Sequence, residues 1–230
     1  MATSQSLIEM PNHLHETPSN VSDFYCSSWR LSIETNNAGY WNTSPSNCSD
    51  YVKDYMAGDH YLSDSEMVCA YSLAFAQISG ASKGFSWVFD IDETLLSHNP
   101  YSLQGKGNNL YEKSMDIPDA PALPASLKFY KELLKMNYTI FLLTGRPESY
   151  RNITVENLLK VGYSNWERLI MRGDADEGKK AIVYKSEKRQ ELVNEGYRLH
   201  GNTGDQWSDL LGFAVAERSF KLPNPMYYIA

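Results

Sequence analysis

From Ser86 to the C-terminus, short apolar runs alternate with helix-length stretches, and this alternation limits the chain to few folds. Residues 87–91, 139–143, 169–171, 197–200 and 213–215 have the length and composition of strands buried on both faces. Residues 125–136, 148–161, 186–195 and 206–211 read as helices between them. Strands alternating with helices predict an α/β fold, a parallel sheet with helices on both faces. In such sheets ligands bind beyond the carboxyl ends of the strands, so the residues that follow each run are the ones to inspect.

Residues 1–47 are rich in Ser, Asn and Thr and read as a disordered tip over 1–23, then an irregular, partly packed arm. Residues 50–56 and 63–77 read as two helices, with Ser63 and Asp64 as N-caps and Met67, Tyr71 and residues 73–75 as the apolar stripe. The expected division is therefore a tip over 1–23, an arm with helices over 24–84, and an α/β core over 85–230.

Composition narrows the partners. At 230 residues and 42% hydrophobic content the chain can bury a sizeable core. Lys and Arg number 21 against 28 Asp and Glu, a net charge of −7, which argues against nucleic-acid binding through a basic face. No apolar run approaches the ~20 residues of a membrane-spanning helix. An anionic ligand would have to find its positive charge inside a small pocket.

Four polar segments follow the strand-like runs. Asp90-Ile91-Asp92-Glu93-Thr94 leaves the first, and its two acids can face one pocket. Such a pair suits a nucleophile on phosphorus and a general acid that later activates water. Thr144-Gly145-Arg146-Pro147 leaves the second run, where a hydroxyl, a glycine and a helix start can cradle phosphate oxygens. Lys185 opens the 186–195 helix and can offset phosphate and carboxylate charge, with Lys179, Lys180 and Lys188 competing for that role. Asp205 and Asp209 are four apart at a loop-to-helix start, a spacing suited to a hard cation. Each segment has a bland alternative: a polar turn, a strand–helix joint, a solvated basic face, or an Asp205 N-cap with Asp209 in solvent. Their joint occurrence, in order, favours the chemical reading.

At these residues the chain resembles the haloacid-dehalogenase (HAD) superfamily, and most closely its plant acid phosphatase and vegetative storage protein branch, related to class B acid phosphatases. The likeness rests on residues 89–97, 141–146, 183–186, 201–209 and the tail 220–228, with further counterparts at residues 26–30 and 34–37 of the arm. It implies a Rossmann-like sheet of order 3-2-1-4-5 with a small cap inserted at about residues 97–124. It also implies Asp90 as nucleophile and Mg2+ ligand, and Asp92 as general acid/base with its backbone carbonyl on the metal. Thr144 and Gly145 would bind phosphate, and Lys185 would offset charge. Asp205 would ligate Mg2+ with Asp209 in support. The implied function is Mg2+-dependent hydrolysis of small phosphomonoesters through an aspartyl-phosphate, with nitrogen storage as the alternative. His98 and Tyr101 lie just past the nucleophile, where contact with substrate and a solvated loop are both open. At family level the resemblance allows a homodimer through the arm; the expectation of no nucleic-acid or membrane partner comes from charge and hydropathy.

Cys26 and Cys48 can bridge, leaving Cys69 unpaired; bridged and free forms are both open. The first 20 residues have no basic start and no apolar stretch, so no secretory signal is expected from them. Sequons at Asn20, Asn42, Asn47, Asn137 and Asn152 point the other way.

Overall fold

The structure, a computed structural model, describes residues 19–41, 44–78, 84–98 and 119–230. Most of the 1–23 tip, the sequon at Asn42, Tyr101 and the middle of the 97–124 insertion lie outside the described residues.

Five strands form one parallel sheet: β1 (Phe85–Phe89), β2 (Thr139–Pro147), β3 (Arg168–Arg172), β4 (Arg198–Gly204) and β5 (Arg218–Lys221). Their spatial order is β3-β2-β1-β4-β5, with parallel pairing at every junction, as the resemblance implies. The central strand β1 is buried at every position, so both of its faces need apolar cover. Phe85, Trp87 and Phe89 pack with α3 (Asp59–Ile78), α4 (Pro124–Lys135) and Leu158 of α5 (Arg151–Lys160). Val88 packs on the opposite side with Phe141, Leu143, Tyr184 and Leu192, the last two from α6 (Ala181–Asn194).

Trp87 is fully buried and its indole N–H donates to Thr203 Oγ1 at 3.0 Å. Gly201 on the neighbouring strand makes this possible, since an added Cβ there would meet the indole ring at 2.4 Å. Truncating so large a core side chain costs about 3–5 kcal/mol.

The N-terminal region departs from the sequence reading. The 24–47 arm is not irregular at its start: α1 (Ser19–Glu34) begins inside the stretch read as disordered. Its Ser-rich sequence has weak helix propensity, and tertiary contacts hold it. A Cys26–Cys48 disulfide ties it to the segment before α2 (Ser49–Ala57), and Arg30 pairs with Asp64 at 2.8 Å. The Ile33 carbonyl accepts the Trp207 indole N–H at 3.0 Å. Cys69 is free and buried.

Helix α3 also begins earlier than expected. Gly58 separates it from α2, so Ser63 and Asp64 lie within it rather than capping it. Its buried stripe is Tyr61, Ser65, Cys69, Ser72 and Ala76, whereas Met67 and Tyr71 are exposed. Of the expected stripe, Leu73 and Phe75 do pack against the core, but Met67 and Tyr71 do not; the face on α4 uses small residues, with Cys69 Sγ meeting Ser126 Oγ at 3.9 Å.

In the core, residues 213–215 are not a strand. Phe213 and Val215 are exposed, and the edge strand is Arg218–Lys221. Strand β2 runs on through Gly145 to Pro147, a short 3-10 turn follows at Glu148–Tyr150, and α5 starts only at Arg151. The expected helix start directly after Gly145 is thus displaced. Lys185 lies one turn inside α6 instead of at its opening, because the helix begins at Ala181.

Candidate active site

Asp90 follows β1 directly, its backbone N–H still donating to the Thr203 carbonyl at 3.0 Å. The chain then turns sharply: the N–H groups of Leu95 and Leu96 both donate to the Ile91 carbonyl, at 2.8 and 2.9 Å. Glu93 sits in this turn at φ 53, a left-handed conformation that a non-glycine residue holds only when its surroundings compel it. Its buried carboxylate accepts the His98 backbone N–H at 2.6 Å and the Ser97 hydroxyl at 3.3 Å. Burial, against these hydrogen bonds, pushes the Glu93 carboxyl up to about 8.

Asp90, Asp92, Gly145, Lys185, Asp205 and Asp209 all line one cavity of about 190 Å3 at the carboxyl ends of the strands. Thr144 is buried beneath it rather than on its wall. The Thr144 hydroxyl accepts the Arg146 backbone N–H at 3.1 Å and donates to Asp92 Oδ2 at 3.4 Å.

One side of the cavity gathers acids. Oxygens of Asp90, Asp205 and Asp209, all buried, lie within 4.8 Å of one another. Lys185 Nζ bridges Asp90 Oδ1 and Asp209 Oδ1, the latter at 2.6 Å. Of the four competing lysines, packing selects this one. Lys179 pairs with Asp176 and Glu187, Lys188 pairs with Glu191, and Lys180 is exposed.

Asp209 is neither exposed nor incidental: its Oδ2 accepts the Gln206 backbone N–H at 3.0 Å. Its carbonyl accepts from Asn202 Nδ2 at 2.8 Å and from Arg189. Gly204 leaves the room, since a Cβ there would meet Asp209 Oδ2 at 2.4 Å. Asp205 Oδ2 accepts from Asn224 Nδ2 at 2.6 Å and Gln206 Nε2 at 2.8 Å.

Burial raises the Asp90 carboxyl well above its usual range; Lys185 opposes this, and the charges of Asp209, Asp205 and Asp92 add to it. Burial and Asp209 push Asp205 up to about 7 against its two amide hydrogen bonds. These directions describe acids short of positive charge. The donor set of carboxylate oxygens with a single lysine among them fits a hard divalent cation.

The other side holds Asp92 alone. Arg146 donates to it from Nε at 3.0 and 3.1 Å and from Nη2 at 2.7 Å, and His98 Nε2 lies 2.8 Å from Oδ1. Arg146 Nη1 is held in turn by the Thr154 hydroxyl at 3.0 Å. Burial alone would raise the Asp92 carboxyl, but the charges and hydrogen bonds of Arg146 and His98 bring it far below the usual range.

Sequence reasoning quoted Arg146 within its segment without giving it a role, although a buried arginine two residues past a strand-end threonine needs a carboxylate. It gave no role to Asn224, although the tail 220–228 carries part of the resemblance; Asn224 reaches Asp205 from there. That tail also shapes the site: Tyr227 and Ile229 line the cavity, and the Ala181 N–H donates to the Ala230 carbonyl at 2.9 Å. Glu34 of α1 anchors it by accepting the Asn224 N–H at 2.9 Å and an ion pair from Lys221.

A family model described as HAD superfamily, subfamily IIIB (Acid phosphatase) matches residues 11–230. Acid phosphatase 1 of Solanum lycopersicum is 48% identical over 212 residues, 89% of this chain and 83% of that protein. Vegetative storage protein 2 of Arabidopsis thaliana is 35% identical over 214 residues, 89% of this chain and 80% of that protein. Among solved structures, the class C acid phosphatase from Bacillus anthracis with tungstate bound superposes with a TM-score of 0.62 at 24% identity, covering 78% of this chain and 85% of that one, a likeness of fold. The strand-end cavity, the sheet order and these matches converge, and the chain belongs to subfamily IIIB of the HAD superfamily, the acid phosphatases.

Proposed function

We propose that this acid phosphatase hydrolyses small phosphomonoesters through a phosphorylated Asp90, with a divalent cation, Mg2+ by chemistry, in the acidic side of the cavity. The observation that carries the reading is the setting of Asp90: buried at the exit of the central strand, bridged by Lys185 to Asp209, with oxygens of Asp90, Asp205 and Asp209 within 4.8 Å of one another.

In the first half-reaction an Asp90 carboxylate oxygen attacks phosphorus. The bond from phosphorus to the ester oxygen breaks, and a proton from the Asp92 carboxyl passes to the departing alkoxide. In the second half-reaction water attacks phosphorus, its proton goes to the Asp92 carboxylate, and the bond from phosphorus to Asp90 breaks. Before substrate binds, Arg146 and His98 hold Asp92 as a carboxylate, the form that the second half-reaction needs; for the first half-reaction it must take up a proton from solvent as the arriving phosphate draws Arg146 away. A phosphate dianion arriving beside Arg146 competes for its guanidinium and loosens that hold. Lys185 lies against Asp90 and neutralises charge on the nucleophile and on the phosphoryl oxygens, while Gly145 closes the phosphate end and Thr144, beneath the wall, positions Asp92 and the Arg146 backbone instead of touching phosphate. Asp90, Asp205 and the Asp92 backbone carbonyl would hold the cation, with Asp209 in support through Lys185 and Gln206. The bound cation would spread the equatorial charge of phosphoryl transfer.

Hydrolysis of an aryl phosphate across pH 4–8, with Mg2+ and with EDTA, tests the reading. Turnover should need the metal and should fall at least ~10³-fold in Asp90→Asn, as for other covalent nucleophiles. Metal-independent turnover, or a fully active Asp90→Asn, would overturn it. The likeness to vegetative storage protein 2 supports a nitrogen-reserve role as a second reading, and folded wild type without turnover would bring that reading forward.

A further inference from the structure

The proposed reaction leaves one cation on the cavity wall without a task. Arg172, the last residue of β3, lines the cavity. Arg30, Arg146, Arg151, Arg168 and Arg198 each pair with a carboxylate. Arg172 does not pair with any carboxylate among the described residues. Its Nη1 donates to the carbonyls of Asp176 at 2.8 Å and Lys179 at 2.9 Å, and its guanidinium lies 4.4 Å over the Tyr184 ring. These contacts fix the plane without neutralising the charge. A guanidinium has five N–H donors, and Nε and Nη2 make no hydrogen bond among the described residues, which leaves theirs for a ligand. A fixed guanidinium of this kind suits a planar oxyanion, which it can bind through two parallel hydrogen bonds.

The register sets how far such an anion must lie from the phosphoryl group. Arg172 pairs with Pro147 of β2, and β2 separates β3 from β1. Two strand spacings, about 10 Å, therefore separate the Arg172 backbone from that of β1. The cavity lining is apolar in part, from Pro147, Ala181, Tyr227 and Ile229. Such a surface suits a flat spacer between two charged ends.

We propose that Arg172 selects phosphomonoesters whose alcohol carries a second oxyanion, a carboxylate or a further phosphate, across a ring-sized apolar spacer. The proposal rests on the phosphatase reading of the same cavity. The chain's net charge of −7 does not oppose it, because screening confines surface charge to about 8 Å at physiological salt.

The test compares kcat/KM for 4-carboxyphenyl phosphate and phenyl phosphate, with Mg2+, in wild type, Arg172→Gln and Arg172→Lys. Because the ratio of the two values is taken within each protein, partial unfolding of a variant cancels. Wild type should prefer the carboxylated ester by about 10-fold or more, the scale of a hydrogen bond to a charged group. Arg172→Gln should abolish that preference, chiefly through KM, and Arg172→Lys, which keeps the charge but loses the planar fork, should retain only a minor part of it. A wild type without preference, or an Arg172→Gln that keeps the wild-type ratio, would overturn the selection while leaving the phosphatase reading intact. No turnover of either ester by wild type would overturn both.

Discussion

The two sides of the cavity handle buried charge in opposite ways. Beside β4 and α6, Asp90, Asp205 and Asp209 crowd around the single cation of Lys185. Beside β2, Arg146 and His98 both converge on Asp92. Asp90 and Asp92 are only two residues apart, yet burial and like charges raise one carboxyl while Arg146 and His98 lower the other. The first side is short of positive charge and prepared for an ion. The second is already complete within the protein. Carboxyls whose environments pull them apart in this way are how one fold assigns different tasks to chemically identical groups.

If that contrast is right, equivalent substitutions should have unequal effects on stability. Asp92→Asn leaves the buried Arg146 guanidinium without its carboxylate and should cost about 3–5 kcal/mol in urea unfolding. Asp90→Asn removes one of the crowded acids while Lys185 keeps Asp209. In EDTA its stability should be no lower than wild type. Equal losses in the two variants would erase the distinction between the sides.

The acidic side should also respond to metal. At 100 times its dissociation constant, Mg2+ should stabilise wild type by about 2.7 kcal/mol, seen as a higher Tm. Asp205→Asn should lose most of that rise, and an undiminished rise would place the ion elsewhere. The Cys26–Cys48 bridge provides a comparison away from the cavity. Replacing both cysteines by serine should cost about 2–4 kcal/mol by loop-closure reasoning, with the Mg2+-dependent rise preserved. A loss of that rise would mean that the arm controls the cavity more directly than its contacts suggest.

The smallest effect concerns Asp176. Burial would raise its carboxyl, but hydrogen bonds from Lys179 and the Gly173 N–H, with the charges of Lys188 and Lys179, hold it below the usual range. A carboxyl lowered on folding stabilises the protein above its unfolded value of about 3.9, and that contribution fades as pH falls through the folded value. Asp176→Asn should therefore be less stable than wild type by on the order of 1 kcal/mol at pH 7, with the gap closing below about pH 4. A gap independent of pH would assign the loss to the loop's geometry instead.

Much of this was legible in the sequence where a local pattern carries the signal. The apolar run ending at Phe89 announced β1, and the acids after it had to lie at its carboxyl end. Other features depend on partners distant in sequence. Lys185 differs from Lys179 and Lys188 only in what it faces across the cavity. Helix α1 has weak intrinsic signals and is held by Cys48, Asp64 and Trp207. The 213–215 run looked like a strand because it is apolar, yet the edge strand Arg218–Lys221 buries fully only Phe220. Edge position relaxes the demand for continuous apolar sequence, which is why periodicity missed it. The tail 220–228 is visible in the sequence as part of the resemblance, but the roles of Asn224 and Tyr227 at the cavity emerge only when tertiary closure brings them there.

The central claim is that Asp90 carries the phosphoryl group. Rapid acid quench of wild type turning over a 32P-labelled ester, followed by peptide mapping, tests it most directly. The account predicts acid-stable label on the peptide containing Asp90, and none in Asp90→Asn. Label on another residue, or turnover under these conditions with no labelled protein, would contradict it.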